Sequence, residues 1–364
     1  MRYLYLAGLI GLVVVTGANT AAASCVGTPP TGLDPTGVSD NTVAIQTAID
    51  TANANGGGAV VLPPGRYLTT GALVVKRGVV LCGSTHGPFD IGAVDPAVTT
   101  IAATLLITNT TTPFLTLQDT GAAVTDLIFH YPNQVPPTTS SPNVYPTTIR
   151  VTGPGTKIER STVTNAWEFL DIQIGRVTAR DLYIGAYYCG IRIDHAQDRV
   201  TINNIIFSVF WDNGAYASYP QNIDGWAIDN SYAFMIFRMD SLQVSDVLIF
   251  NRYAGFYLAD SPDESLSPRM GYGSFTNIDI DTCSNGILAM SSNIPGYKFT
   301  NLDIGCHNTH FGPGDYGILQ LAGGTTPPLV LVNGGSIRGT WNGAKFGTFT
   351  PPARLVVAHI FEHE

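Results

Sequence analysis

Phe275-Thr276-Asn277-Ile278-Asp279-Ile280 returns 24 residues later as Phe299-Thr300-Asn301-Leu302-Asp303-Ile304. Each copy alternates apolar and polar residues and is too short for a helix, the pattern of a strand with one buried face. Related phrases stand upstream at Val177-Thr178-Ala179-Arg180-Asp181-Leu182-Tyr183-Ile184, at Val200 to Phe207 and at Val244 to Phe250. The offset from Val177 to Val200 is 23 residues and from Val244 to Phe275 is 31, so the base unit is near 23. Most copies are followed by a second, glycine-led apolar strand: Gly190-Ile191-Arg192-Ile193, Gly255-Phe256-Tyr257-Leu258, Gly286-Ile287-Leu288 and Gly317-Ile318-Leu319. A unit of this size cannot bury its own strands. It must stack on its neighbours, about 4.8 Å apart, as one coil of an all-β solenoid. Asn203, Asn204, Asn277 and Asn301 are expected in turns, where asparagine tolerates unusual backbone angles and bonds its stacked neighbours.

The open end of such a stack needs a cover. A helix is predicted over residues 41–54, with Asp40 as its cap and Val43, Ala44, Ala48, Ile49 and Ala52 as its apolar stripe. Gly56-Gly57-Gly58 ends it. Short apolar runs follow at Ala59 to Leu62, Ala72 to Val75 and Val79 to Cys82, each read as a buried strand.

The run from Gly37 to Asp50, followed by Gly56-Gly57-Gly58-Ala59-Val60-Val61-Leu62-Pro63-Pro64-Gly65-Arg66-Tyr67-Leu68, resembles the N-terminal signature of the pectate-lyase-like superfamily, which includes polygalacturonase relatives and phage tailspikes. The resemblance implies a single-stranded right-handed parallel β-helix with an N-terminal capping helix, the cap covering about residues 34–58, and action on polysaccharides. Its members include hydrolases, lyases, epimerases and adhesins, so the motif speaks to fold more than to reaction.

Residues 1–23 have the layout of a secretory signal peptide: Arg2, an apolar run from Tyr3 to Val15, and Ala21-Ala22-Ala23 before Ser24. The expected mature domain is 24–364, secreted to the outside or the periplasm, with no membrane partner. The chain carries a formal charge of −9, made one unit more negative by loss of Arg2. Such a surface repels phosphate backbones, which argues against nucleic acid. Lys76, Lys157, Lys298 and Lys345 are the only lysines and form no basic patch. A polysaccharide is the expected partner, bound by a monomer or homotrimer. Cys25, Cys82, Cys189, Cys283 and Cys306 are an odd set, so one thiol stays unpaired within the chain. Cys283 and Cys306 fall at similar places on adjacent repeats, within reach of a disulfide or as two buried thiols. Cys25 follows Ala-Ala-Ser in a loose likeness of a lipidation site, and Asn109-Thr110-Thr111 is a glycosylation sequon.

The widest spacing, 44 residues from Val200 to Val244, suggests two coils with a loop. It contains Trp211, Tyr216, Tyr219 and Trp226 among polar residues, a composition that suits sugar rings, with a packed aromatic loop as the lesser alternative. In Ile191-Arg192-Ile193-Asp194, inward isoleucines put Arg192 and Asp194 outside, and Phe237-Arg238-Met239-Asp240 repeats the pattern. Asp229 and Asp171 are read as outward on the same basis. Glycoside hydrolysis requires two carboxyls, one to protonate the leaving oxygen and one to attack or activate water. The candidate catalytic acids are Asp194, Asp224, Asp229 and Asp240, and the candidate substrate-binding residues are Trp211, Tyr216, Trp226, Arg192, His195 and Arg238. Asp224 enters because Asn222-Ile223-Asp224-Gly225 is similar to the polygalacturonase Asn-Thr-Asp-Gly motif. The chain lacks the Asp-Asp, Gly-His-Gly and Arg-Ile-Lys elements that complete that family's site.

The rival readings are a polysaccharide lyase and a non-catalytic adhesin. A lyase removes a proton beside a uronate carboxylate, for which Arg192, Arg238, His195 and Tyr257 are suited residue types. No cofactor or resident metal is expected for a hydrolase, and Ca²⁺ would enter as a charge neutraliser only for a lyase.

Overall fold

The computed structural model describes residues 25–85, 101–135, 141–208, 221–291, 296–305, 316–320, 329–338, 342–346, 354–358 and 361–363. The expected signal segment, Trp211, Tyr216, Tyr219 and Cys306 lie outside the described residues.

Among the described residues all the strand pairs are parallel, and strands bond to their counterparts in neighbouring coils. On one face the register runs Val124, Ile158, Ala179, Ile202, Val244, Phe275, Phe299 and Val332, one residue per coil. On a second face it runs Leu73, Leu115, Ile149, Leu170, Ile191, Phe234, Phe256, Ile287 and Ile318. The inward residues of both faces form one continuous apolar cluster along the solenoid axis. Aromatic rings stack inside it from coil to coil: Phe234 lies 4.9 Å from Phe256, and Phe275 lies 4.4 Å from Phe299.

The first face bends at one residue per coil, and that residue is left-handed. Asp126, Arg160, Asp181, Asn204, Asp246, Asn277, Asn301 and Gly334 all have positive φ and stand in register. Asparagine and aspartate suffer least there among side-chain-bearing residues. Their side chains also tie coil to coil: Asn277 Nδ2 donates to Asp246 Oδ1 at 2.9 Å, and Asn301 Nδ2 donates to Asn277 Oδ1 at 3.1 Å. Asn204, Asn277 and Asn301 therefore occupy the expected turns. Asn203 does not; it stays extended in its strand and donates instead to Ser245 and Asp246.

The glycine that opens the second strand has a packing cause. A Cβ on Gly255 would meet Ile280 at 2.8 Å, and one on Gly286 would meet Ile304 at 2.7 Å. The corner is too tight for a side chain because the first-face isoleucine and the glycine carbonyl of the following coil already fill it.

Two expectations are corrected. Val200 pairs with Leu242, not Val244, so the spacing is 42 residues. That span holds a single coil, whose second-face strand is Tyr232–Ile236, plus an insertion that ends in the helix α2, Gln221–Asn230. The N-terminal helix α1, Thr42–Ala54, forms as expected, but its buried stripe is Ile45 and Ile49 flanked by Ala48 and Ala52, while Val43 is 75% exposed. Asp40 precedes the cap position Asn41, yet its carboxylate accepts the Thr42 N–H and hydroxyl. These bonds and those from Thr70 hold its pKa near 2 against the opposing effect of burial. Among the described residues no helix is long and apolar enough to cross a membrane.

Candidate active site

The outward row of the second face reads Thr116, Arg150, Asp171, Arg192, Met235, Tyr257 and Leu288. Three successive coils thus present Arg, Asp, Arg. The row beside it, before the corner, carries Glu168, Cys189 and Tyr232. Asp171 is almost fully covered: Oδ2 accepts Arg150 Nε at 3.1 Å and Gln173 Nε2 at 2.9 Å. Its other oxygen, Oδ1, is buried without a hydrogen bond.

Glu168 and Asp171 interact electrostatically with each other and with both guanidiniums. Burial raises the pKa of each above its ordinary value, and Arg150 and Arg192 offset part of that rise. A pair of carboxyls with raised proton affinity beside two guanidiniums is a unit that can hold and pass a proton.

A band of aromatic rings borders this unit. Trp226 lies 5.9 Å from Trp167, which is stacked on Tyr188 at 4.9 Å with 6° between planes. Tyr188 meets Tyr232 edge-on at 5.7 Å, and Tyr232 meets Tyr257 at 5.3 Å. Tyr257 reaches Phe237, over which the Arg192 guanidinium lies at 5.1 Å. Trp167, Tyr188, Tyr232 and Tyr257 are all half-buried, leaving ring surface free. Burial raises the pKa of all three phenols, Tyr232 to about 12, so at neutral pH they keep their protons and can donate hydrogen bonds. Apolar ring faces beside fixed charges match the C–H faces and polar edges of a sugar.

The residues singled out from sequence are distributed otherwise. Arg192 is in the charged row as expected. Asp194 is not outward: it is 3% exposed, and it accepts the His195 N–H at 2.9 Å, the Arg238 N–H at 3.2 Å and the Ser261 hydroxyl at 3.0 Å. The strand has ended there, and the carboxylate turns in to bind three segments together. His195, left-handed in backbone, donates from Nε2 to Asp263 at 2.9 Å and fastens the same loop. Phe237 stands opposite Asp194, so Phe237-Arg238-Met239-Asp240 is displaced by three residues from the pattern it imitates. Arg238 and Asp240 pair with each other. Asp229 is exposed near the end of α2 rather than on a strand. Asp224 lies in α2, and its side chain is outside the described residues. Trp226 packs on Trp167 and Tyr187, at once a packing residue and an end of the aromatic band. Of the outward charged residues expected from alternation, Asp171 and Arg192 stand in register on successive coils, with Arg150 before them and Glu168 beside them, while Asp194, Asp229, Arg238 and Asp240 stand elsewhere.

Glu168, Arg150, Trp167, Tyr188 and Tyr232 were missed. Strict alternation puts Glu168 and Asp171 on opposite sides, but Phe169 and Leu170 are both buried at the corner, which restores Asp171 to the side of Glu168. Two consecutive large apolar residues between two acids were the available signal. Among the described residues no three His, Cys, Asp or Glu side chains are grouped to hold a metal ion.

Comparison with known proteins agrees with this architecture. Residues 30–125 match the family model described as rhamnogalacturonase A/epimerase, pectate lyase-like. Over 66 residues the chain is 47% identical to the mannuronan C5-epimerase AlgE6 of Azotobacter vinelandii, a match that spans 16% of this chain and 8% of that protein. The A-module of the Azotobacter vinelandii mannuronan C-5 epimerase AlgE4 superposes with a TM-score of 0.56 at 17% identity, covering 85% of this chain and 76% of that one. An N-terminal fragment of the bacteriophage Phi29 gene product 12 gives 0.54 at 11% identity, covering 86% of this chain and 52% of that one. Residues 30–125 thus match the pectate-lyase-like rhamnogalacturonase A/epimerase family model, and in fold the chain is a parallel β-helix.

Proposed function

We propose that the protein is an exported enzyme acting on a uronate-containing polysaccharide, with a right-handed coil sense and its site on the outer row of the second face. The observation that carries the reading is the cluster of Glu168 and Asp171 between two guanidiniums, edged by a band of rings that runs along the stacking direction. Arg150 and Arg192 supply positive charge for a sugar carboxylate, and Trp167, Tyr188 and Tyr232 supply ring faces.

Hydrolysis fits the proton affinities best. Glu168, its pKa raised by burial, is suited to protonate the leaving oxygen. Asp171, with Oδ2 anchored by Arg150 and Gln173 and Oδ1 free of bonds, is suited to attack or to activate water. A second reading, proton transfer at the carbon beside the uronate carboxylate, is supported by the two arginines, by three protonated phenols able to donate, and by the N-terminal identity to epimerases.

A panel of neutral and uronic polysaccharides, scored together for reducing ends, unsaturated uronate absorbance and C5 configuration by NMR, tests the reading. Hydrolysis of uronic polymers is expected. Activity should fall as pH rises through the raised pKa of Glu168, because the acid form is then lost. Glu168→Gln should lower kcat by about 10²–10⁴-fold and abolish that alkaline limb. Full turnover by both Glu168→Gln and Asp171→Asn would refute the site.

A further inference from the structure

We infer that Cys25 and Cys82 are a redox pair that closes to a disulfide and rivets the N-terminal segment to the first coil. The proposal is independent of the reaction catalysed at the second face.

The segment that carries Cys25 is seated as the first rung of the stack. Thr28 forms a parallel bridge to Val60, and Val61 is in register with Cys82 on the next coil. The approach is close: a Cβ on Gly27 would lie 2.4 Å from the Ala59 carbonyl oxygen. The Cys25 and Cys82 side chains are thereby neighbours, with Cys82 buried and Cys25 partly open to solvent. Both are free thiols as they stand. A disulfide needs its sulfurs about 2 Å apart, so closure takes a short movement of the terminal segment.

The other cysteines do not compete. Cys283 is disulfide-bonded, and Cys189 is buried before the corner of the second face, in the row of Glu168 and Tyr232. Burial raises the pKa of the Cys82 thiol, so the accessible Cys25 makes the first attack. Its thiolate displaces one sulfur of an external disulfide, such as oxidised glutathione or a protein disulfide, forming a mixed disulfide and releasing one thiolate. Cys82, deprotonated in turn, attacks Cys25 Sγ, forming the Cys25–Cys82 bond and releasing the second thiolate. Two electrons pass to the external disulfide, which leaves as two thiols carrying the two protons.

The test uses the full chain exported through an oxidising compartment, alkylated with iodoacetamide in denaturant without reductant, digested and mapped by mass spectrometry. A peptide pair joining Cys25 to Cys82, resolved into two peptides by reduction, is the expected result. Carbamidomethyl groups on both cysteines, pairing of either with another cysteine, or a diacylglycerol thioether on Cys25 would overturn it. Cys25→Ser provides a second measurement, since it alters a partly exposed residue. It should melt below oxidised wild type, and the gap should vanish when both are reduced. Equal melting in oxidising buffer would also overturn the pair.

Discussion

Replacing Asn277 separates what its backbone angle contributes from what its side chain contributes. Asn277 has φ of 55°, donates to Asp246 at 2.9 Å and accepts from Asn301 at 3.1 Å. Both bonds are exposed, so each is worth about 0.5 kcal/mol, the low end of the usual range. In Asn277→Ala these are lost and a Cβ without a polar group is forced into the left-handed region, at about 1–2 kcal/mol. The total is about 2–3 kcal/mol. Asn277→Gly loses the same bonds but not the backbone angle, and adds about 0.5–1 kcal/mol of chain entropy on folding, for about 1.5–2 kcal/mol. Alanine should therefore be the worse substitution by roughly 1 kcal/mol, the reverse of the order in an ordinary strand. Urea unfolding followed by circular dichroism would measure both. If alanine is as stable as glycine, the ladder of left-handed residues is not a source of stability and the reasoning fails.

Trp167→Ala removes the ring stacked on Tyr188 and should raise KM about tenfold, equivalent to about 1.4 kcal/mol, with kcat little changed in steady-state assays on the active polymer. Asp194→Asn turns an amide N–H₂ toward donors and should cost about 1–3 kcal/mol, exposing the loop around residues 260–269 to limited proteolysis; lost turnover with unchanged stability would show instead that Asp194 is catalytic. His130, buried beside Arg66 and in contact with Thr164, has its pKa lowered to about 4 by burial first and then by that guanidinium. A histidine depressed in the folded state contributes stability that is complete above its unfolded pKa near 6.5 and is lost as pH falls toward 4; His130→Asn should flatten the melting temperature between those pH values.

The repeat was legible because stacking imposes the same demand on every coil. Phe275 and Phe299 occupy one register position, and so do Asn277 and Asn301, so their identities recur in the chain. The site was less legible because it depends on where strands end. Asp194 and Asp240 look outward only if the strands continue through them, and they do not: their carboxylates join turns. Asp229 was misassigned because Ala227 and Ile228 are as apolar as a strand, although the segment is helical and packs against the coil. Arg192 was found because it still lies within its strand, between the buried Ile191 and Ile193, where alternation holds. Glu168 was missed because a corner residue breaks that alternation.

The pitch of the stack also makes the aromatic band a ruler. Tyr188 and Tyr232 belong to successive coils, and the backbone ladder fixes their separation along the axis at about 4.8 Å, the same order as one pyranose unit. A polymer lying along that direction would meet a new rung with each sugar. The rungs carry different residues at one spacing, so insertions at the corners can change what a rung presents but not the distance from one rung to the next.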